Sequence, residues 1–348
     1  MNPTHAAVLL PILASSAFAQ SYWITMPNEN SLAEGASYSP LFEKVGRLQQ
    51  GVGDLHGSAK TFLKMAFQRD ALLPANAAYV SRTLEVEIKF AKTNLAAMTQ
   101  TFATNPTNSP TTVFTKKTVN SPNWTARPSQ QPAPYDFVFT FDTPYAYDGT
   151  TDFLWDLAIT ATSAPASAYP IDMATQSGIA NGRYYQQGVG CSTPLGTMDL
   201  RSTPLSNKLQ SKASIAWSLE HAPGNAACAL LIGTANPAMP VTGLCGKLYV
   251  TPETTLNFAT SAAGAFTTPT FSTPWNGSIT GVKLQAQAAA VDATKSPIPV
   301  SVSNGLSSYF GWLPASQIVS TTVSSYGNPT ATTGFVITGQ AIVTTYNY

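Results

Sequence analysis

The chain has 348 residues, of which 44% are hydrophobic, and a formal net charge of +1 at pH 7. This length and apolar content are those of a folded protein with room for two domains, and they exclude a disordered polar chain. A net charge so near zero produces no electrostatic field that would attract a polyanion, which argues against a nucleic-acid-binding protein. Only 10% of the residues are charged, as is common in secreted β-rich proteins.

Residues 8–19, VLLPILASSAFA, form a short apolar run that ends in Ala17-Phe18-Ala19. This A-x-A ending is typical of a signal-peptidase site, so we expect cleavage after Ala19 and a secreted or cell-surface protein. The segment before the run has no Lys or Arg, so its positive charge depends on the amino terminus or on His5. No later apolar run approaches the ~20 residues of a membrane-spanning helix, and we expect no transmembrane segment in the mature chain.

Most of the remaining chain alternates apolar and polar residues with period two, which predicts strands with one buried face. The pattern is clear in RTLEVEIKF, DFVFTFD, FLWDLAIT, ASIAWSLEH, KLYVTP, GVKLQAQ and PIPVSVSNG, and the chain closes on GFVITGQAIVTTYNY. Residues 91–103, AKTNLAAMTQTFA, could form a helix or equally a loop with one helical turn. Turn formers separate the strands at Pro144, Asp148-Gly149, Asn181-Gly182, Pro223-Gly224-Asn225, Asn276-Gly277 and Asn304-Gly305.

Many short strands with frequent turns predict an all-β fold of two antiparallel β-sandwich domains in tandem, jelly-roll or immunoglobulin-like. The stretch from residue 164 to residue 187 lacks a clear period and suggests a boundary near Gln186. The predicted organisation is a signal peptide over residues 1–19, an N-terminal sandwich over 20–185 and a C-terminal sandwich over 186–348.

The stretch 218–233, SLEHAPGNAACALLIG, holds a carboxylate, an imidazole and a thiol: Glu220, His221 and Cys228. A Cys–His pair with an orienting carboxylate could form a nucleophile. Adjacent strand residues point to opposite faces, however, so Glu220 and His221 cannot both face Cys228 without a bulge. We therefore predict a core β-hairpin in which SLEH ends one strand, APGN is the turn and AACALLIG is the returning strand with Cys228 packed inside.

Two groups of polar residues are candidates for metal binding. Asp148 and Asp152 flank a loop in an acidic stretch that also holds Asp142 and Asp156, and clustered carboxylates are the ligands that calcium prefers. The loop lacks the EF-hand pattern, and aspartates commonly cap turns. In the second group, Asp54-Leu55-His56, glycines on both sides favour a turn, and no third partner can be named.

Aromatic side chains in or near predicted loops could stack on a sugar ring: Trp124, Tyr145, Tyr147, Trp275 and Trp312. Tryptophan and tyrosine also routinely cover the ends of sandwiches and the joints between domains. No carboxylate pair for glycoside hydrolysis can be singled out among the 17 acidic residues, and no nucleophile elbow, P-loop or dinucleotide fingerprint occurs.

Three cysteines fit an exported protein with one disulfide and one free thiol, and their spacing leaves all three pairings open. Five motifs occur in the order GVGC, APGNAACALLIG, GLCGKLYVTP, LQAQAAAVD and SVSNGL over about residues 188–311. This order resembles a module of uncharacterised exported proteins of planctomycete-type bacteria. The first half resembles, more weakly, the β-sandwich region that often precedes that module, through RLQQ, MAFQRD, TFATNP and TPYAYDG. The resemblance implies a β fold, export and a Cys191–Cys245 disulfide, with Cys228 unpaired, and it implies no catalytic activity.

These observations predict an exported, non-enzymatic structural or adhesive protein of the cell envelope or extracellular space, with glycans or other envelope proteins as partners. The alternative is a carbohydrate-binding module, assisted by calcium. A secreted hydrolase is the third hypothesis.

Overall fold

The computed structural model describes residues 22–26, 34, 37–164, 167–175, 179–207, 210–279, 281–310 and 319–348. The fold is all-β, as the period-two pattern predicts. The helical segments in these ranges are the 3-10 turns Leu95–Ala97, Phe102–Thr104 and Gly277–Ile279. No described helix is long and apolar enough to span a membrane.

The strands follow one another in three groups. The first group is β1 (Trp23–Met26), β2 (Ser37–Ser39), β3 (Gly46–Val52), β4 (Lys60–Phe67), β5 (Thr83–Thr93), β6 (Thr111–Asn120), β7 (Gln130–Gln131), β8 (Phe137–Tyr147), β9 (Asp152–Thr162) and β10 (Ile171–Thr175). The second group is β11 (Ile179–Asn181), β12 (Arg183–Gln187), β13 (Ser192–Thr193), β14 (Gly196–Thr197), β15 (Asp199–Asn207), β16 (Lys212–Glu220), β17 (Ala227–Gly233), β18 (Met239–Pro240), β19 (Lys247–Leu248), β20 (Thr254–Ala259), β21 (Phe266–Thr267), β22 (Phe271–Pro274), β23 (Lys283–Val291), β24 (Val300–Val302) and β25 (Gly305–Tyr309). The third group is β26 (Ser320–Tyr326), β27 (Phe335–Thr338), β28 (Gln340–Ile342) and β29 (Thr344–Asn347).

Antiparallel pairing assembles these strands into two lobes. Lobe 1 contains a six-stranded sheet in the order β27-β26-β3-β9-β5-β6, a four-stranded sheet in the order β1-β29-β4-β8 and a three-stranded sheet in the order β2-β10-β28. Lobe 2 contains a five-stranded sheet, β11-β15-β16-β21 with β22 also on β16, and a seven-stranded sheet, β20-β17-β23-β25-β12-β7 with β24 also on β23.

The order of the lobes along the chain differs from the predicted tandem of residues 20–185 and 186–348. The third group of strands returns to lobe 1, where β26 pairs with β3 and β29 lies between β1 and β4. Residues 319–348 therefore complete the first sandwich, and the second sandwich is an insertion within it. Alternation along a strand reports which face is buried but carries no information about which strand lies beside it.

Each lobe has its own apolar core between two sheets. In lobe 1 the core is rich in aromatic rings, with Phe90 meeting Phe153 edge to face at 4.7 Å between ring centroids. In lobe 2, Trp217 from the five-stranded sheet belongs to the same buried cluster as Leu230 and Leu306 from the seven-stranded sheet. Burying each such side chain stabilises the fold by about 1.5–3 kcal/mol.

Residues 218–233 do not form the predicted hairpin. The first strand, β16, pairs with β15, β21 and β22, whereas β17 pairs with β20 and β23 in the opposite sheet. The segment is therefore an arch that crosses the core of lobe 2. His221 and Asn225 turn the chain with φ of 59° and 53°, and Ala222 N–H donates to the carbonyl of Gly264 at 2.9 Å.

Candidate functional site

A loop of lobe 1, residues 121–136 between β6 and β8, reaches across to lobe 2, and we call it the strap. It contributes β7, which pairs with β12 at the edge of the seven-stranded sheet. Gln131 Nε2 donates to the carbonyl of Gly182 at 2.8 Å, and Arg201 Nη1 donates to the carbonyl of Pro128 at 2.8 Å. Main-chain pairing and buried side-chain bonds thus fix the strap to lobe 2.

The strap forms one wall of a cleft of about 610 Å³ between the lobes, which we call the interlobe cleft. Its lining residues are Ala126, Arg127, Gln186, Gly188, Val189, Gly190, Thr197, Met198, Asp199, His221 and Asn304. A hollow of about 250 Å³ shares Ala126 and Arg127 with the cleft and continues towards Trp124 and Asp136. The two depressions therefore adjoin each other at these two residues of the strap.

The floor of the cleft is a network of satisfied polar groups. Asp199 accepts hydrogen bonds from Arg201 Nε at 2.8 Å and from Gln186 Nε2, and its other contact with the Arg201 guanidinium is an ion pair of 2.7 Å. The buried Asn304 accepts from the amide of Leu200 at 2.7 Å and donates to the carbonyl of the same residue at 3.0 Å. These bonds give the floor a fixed shape, because moving any member leaves a buried polar group unpaired.

The mouth of the cleft carries groups with spare hydrogen-bonding capacity. Arg127 Nη1 lies 4.0 Å from a carboxylate oxygen of Glu220, an ion pair but too long for a hydrogen bond. His221 is exposed and occupies the left-handed region, with φ of 59°. A Cβ at Gly196 would stand 3.1 Å from its ring, so the imidazole rests directly on that glycine. No described residue forms a hydrogen bond with the imidazole, and a non-glycine residue held at positive φ often marks a functional position.

This arrangement can bind a ligand through hydrogen bonds and charge. Arg127 donates, Glu220 accepts, and His221 can do either. Both carboxylates near the cleft already form an ion pair with an arginine. Asp199 pairs with Arg201, and Glu220 pairs with Arg127. The one hydroxyl group in the described lining belongs to Thr197, and no hydrogen bond joins it to the imidazole of His221. The described lining residues therefore show no hydroxyl or thiol paired with that base.

Trp124, one of the predicted sugar-stacking residues, is only 5% exposed. Its ring stacks on Tyr169 at 4.4 Å between centroids, and its Nε1 donates to Asp136, 3.0 Å from either carboxylate oxygen. Burial raises the pKa of Asp136, and this hydrogen bond partly offsets the increase. Trp124 therefore anchors the strap and presents no free ring face to a sugar.

The other aromatic residues of that prediction that the structure describes do not form a stacking platform either. Tyr145 and Tyr147 are 6% and 2% exposed and belong to the core of lobe 1. Trp275 is half-buried beside the end of β22, away from the interlobe cleft lining. Trp312 lies outside the described residues. The loop and turn signals around Tyr145 misled the prediction, because this part of the chain is a strand, β8, whose tyrosines face inward.

The candidate calcium loop is a turn held by its own hydrogen bonds. Asp148 Oδ1 accepts from the amide of Thr150 at 2.9 Å, and its Oδ2 pairs with Lys92 Nζ at 2.7 Å. The bond from Lys92 holds the pKa of Asp148 well below its usual range. Asp152 instead lies 3.2 Å from His56 Nε2. Among the described residues no three His, Cys, Asp or Glu side chains converge as metal ligands would.

The two other acidic residues of that stretch are bound to nearby side chains. Asp142 accepts from Lys117 Nζ at 2.5 Å, which lowers the pKa of its carboxyl to about 2. Asp156 accepts from Arg47 Nη2 at 2.6 Å and from Gln49 Nε2 at 2.7 Å. Each carboxylate thus has its own donors in lobe 1.

The cysteines of lobe 2 pair as the resemblance implies. Cys191 and Cys245 form a disulfide with 5.5 Å between their Cα atoms, and Cys228 is a free, buried thiol. Burial raises the pKa of that thiol to about 12, so it stays protonated at neutral pH. Cys228 packs in the core among the residues of β17, while Glu220 and His221 end β16 in the other sheet.

The polar residues of the cleft gave no recognisable signal in the sequence. Arg127 lies in a proline-rich loop, RPSQQPAP, whose composition indicates only irregular structure. Asn304 precedes a glycine and matches a turn signal, yet it is buried, and its side chain ties the turn before β25 to Leu200 of β15. A scan against protein-family models found no match for the chain, and no curated protein matches it.

Proposed function

We propose that this is an exported, non-enzymatic adhesive protein of the cell envelope or extracellular space, and that the interlobe cleft is its contact surface. The observation that carries the proposal is the fixed strap. Because β7 pairs with β12 and Arg201 holds the carbonyl of Pro128, the cleft exists before any partner arrives. A preformed concave site binds with little ordering cost.

The satisfied floor supports binding rather than turnover as the role of the cleft. Asp199 is shared between Arg201 and Gln186, so a ligand can reach its carboxylate oxygens only by breaking that network. The groups left at the mouth, Arg127 and His221, are suited to hold a partner's polar groups. The disulfide and the low proportion of charged residues also suit an extracellular protein.

A carbohydrate-binding protein is a second candidate, and the chemistry of the same mouth favours it. Arg127, Glu220 and His221 offer donors and an acceptor side by side, as the hydroxyl groups of a neutral sugar require. In this form of the proposal the partner is an envelope glycan held by polar side chains without aromatic stacking and without calcium.

Binding of the purified mature protein to isolated cell envelopes and to a glycan array tests the proposal. We expect saturable binding that Arg127→Gln and His221→Ala each weaken at least about tenfold, as loss of a charge-assisted contact does. Lys212→Gln, at the exposed opposite end of β16, removes the same charge far from Glu220 and should leave binding unchanged.

Two results would contradict the proposal. Binding that is indifferent to both cleft variants would place the contact surface elsewhere. Turnover of a glycan or peptide substrate that Arg127→Gln or His221→Ala abolishes would identify an enzyme. A glycan-array signal with the same sensitivity to these variants would select the carbohydrate-binding form over contact with an envelope protein.

A further inference from the structure

The edge strand β27 exposes apolar side chains on both faces. Phe335 is 80% exposed, Val336 38% and Ile337 39%, and β27 ends the six-stranded sheet of lobe 1. β26 is the one described strand that pairs with it. Consecutive exposed apolar residues on a sheet edge are rare in soluble proteins, since such an edge is a template for another strand.

The main-chain groups on the outer side of β27 can be assigned by alternation. The carbonyl of Ile337 accepts from Thr322 Oγ1 at 3.4 Å, and the amide of Gly339 donates to Ser320 at 3.1 Å, so these residues direct their main-chain groups towards β26. In an antiparallel strand the intervening residues direct theirs the opposite way. Val336 and Thr338 therefore present an N–H and a C=O each to the outer edge.

One end of this outer edge is already closed. The amide of Gly334, which has the same outward direction as that of Val336, donates to the carbonyl of Gln100 at 2.8 Å. Thr333 forms an isolated bridge with Thr101. The open part of the edge thus begins at Phe335 and extends to the end of β27.

The two edges of the six-stranded sheet differ in their protection against further pairing. The far edge, β6, carries the exposed Lys116 and Lys117, and its register with β5 shifts twice. Lysines and irregular register are devices that block edge-to-edge association. β27 has neither, and no charged residue follows Lys295, so the last 348 − 295 = 53 residues carry no side-chain charge.

We propose that β27 pairs antiparallel with β27 of a second copy of this chain, about a two-fold axis at Ile337. This register joins Val336 of each copy to Thr338 of the other, with both outward-facing N–H and C=O groups satisfied on each side. The two Ile337 side chains are neighbours across the axis, and each Phe335 covers Gly339 of the other copy. A two-fold axis brings identical strands together, and an uncharged strand does so without repulsion between like charges. The outer edge of β27 is therefore suited to pair with its own copy.

The length of the edge determines how strong the dimer is. Four residues of β27 supply much less than the ~800 Å² that each partner buries in a standard interface. The association is therefore weak and rises with concentration, with a Kd of about 1–100 μM. Such a dimer forms where the local concentration of the chain is high.

Sedimentation analysis of the full mature chain from about 1 μM to about 300 μM tests the proposal, because this range brackets a micromolar Kd. Ile337→Lys places two ammonium groups at the axis and should abolish the dimer. Val336→Pro deletes one outward amide donor, which β26 does not use, and should weaken the dimer at least tenfold while the circular dichroism spectrum stays native. Val291→Lys, at a valine 54% exposed on β23 of lobe 2, adds the same charge elsewhere and should leave association unchanged.

Three results would overturn the proposal. The wild-type chain could stay monomeric throughout the concentration range. A dimer could survive both Ile337→Lys and Val336→Pro in proteins that are folded by circular dichroism. Hydrogen exchange could find the Val336 and Thr338 amides protected in the monomer, which would mean that a segment of the same chain covers the edge.

Discussion

Replacing Asp70 by asparagine should stabilise the protein at neutral and alkaline pH and leave its stability unchanged at about pH 3. Asp70 follows β4 and is only 2% exposed. Burial raises the pKa of its carboxyl from the usual 3.8 to about 6, although the amides of Leu72 and Leu73 and the charge of Arg69 act in the opposite direction. The folded protein therefore holds the Asp70 proton more tightly than the unfolded chain does.

The sign of the effect follows from this difference. Stability that depends on protonated Asp70 is present below pH 3.8 and is lost as the pH rises through about 6. The difference of about 2 between the two pKa values corresponds to about 3 kcal/mol at neutral pH. Asparagine keeps the acceptor that receives the Leu72 amide at 2.8 Å and cannot ionise.

Urea denaturation of the wild type and Asp70→Asn at about pH 3 and about pH 8 measures this difference on either side of the titration. We expect equal free energies of unfolding at the lower pH and a gain of about 3 kcal/mol for the variant at the higher pH. Asp142→Asn is the matched control, because Lys117 lowers the pKa of that exposed carboxyl and its loss should not stabilise the protein. A gain of equal size at both pH values would refute the reasoning, since it would show that the proton on Asp70 is not involved.

Two further predictions concern the cysteines. The double variant Cys191→Ala/Cys245→Ala should lower the free energy of unfolding by about 4 kcal/mol in urea titrations, the chain-entropy value for a loop closed over 54 residues; an unchanged unfolding midpoint would show that the disulfide does not restrict the unfolded chain. Cys228 should resist alkylation by iodoacetamide at about pH 8 in the folded protein and react in denaturant, because burial raises the pKa of its thiol and hides the sulfur. Rapid alkylation without denaturant would place this thiol at the surface instead of in the core of lobe 2.

The burial of individual side chains could be predicted closely from the sequence. In β5, Leu84, Val86, Ile88 and Phe90 alternate with charged residues, and all four are fully buried. This prediction succeeds because a strand between solvent and one core has only two faces, and the charges select the outer one. For residues 91–103 the same local reasoning left a helix and a loop with one helical turn equally open, and the structure has the end of β5 followed by two short 3-10 turns.

The partners of each strand could not be predicted in this way. β16 and β17 are adjacent in sequence and both amphipathic, yet they lie in opposite sheets. Alternation could not predict this, because an arch and a hairpin bury the same face of each strand. Pro144 is a residue type common in turns but lies within β8. This strand is at the edge of the four-stranded sheet, where proline removes no hydrogen bond that the sheet needs.

The candidate site could not be predicted from short stretches of sequence either, because its residues come from distant parts of the chain. Arg127 and His221 are 94 positions apart, 221 − 127. They line the same cleft because the strap docks on lobe 2. Their sequence neighbours contain no motif, since binding through a few polar groups between lobes imposes no fixed spacing. The residues that did form a conspicuous group, Glu220, His221 and Cys228, are divided between the cleft and the core.

The insertion of lobe 2 into lobe 1 imposes an order on folding during synthesis. Gly46 in β3 pairs with Tyr326 in β26, 280 positions later, 326 − 46. Among the described strands, β29 alone joins β1 to β4. Closing so long a loop is slow compared with local pairing. Residues 179–310, which supply every strand of lobe 2 except β7, emerge as one continuous stretch. They can complete their sheets while β3 has only β9 beside it and β4 only β8, because β26 and β29 are still missing. Lobe 1, which begins first, is therefore finished last, and its unpaired strands depend on protection from aggregation until the final residues arrive.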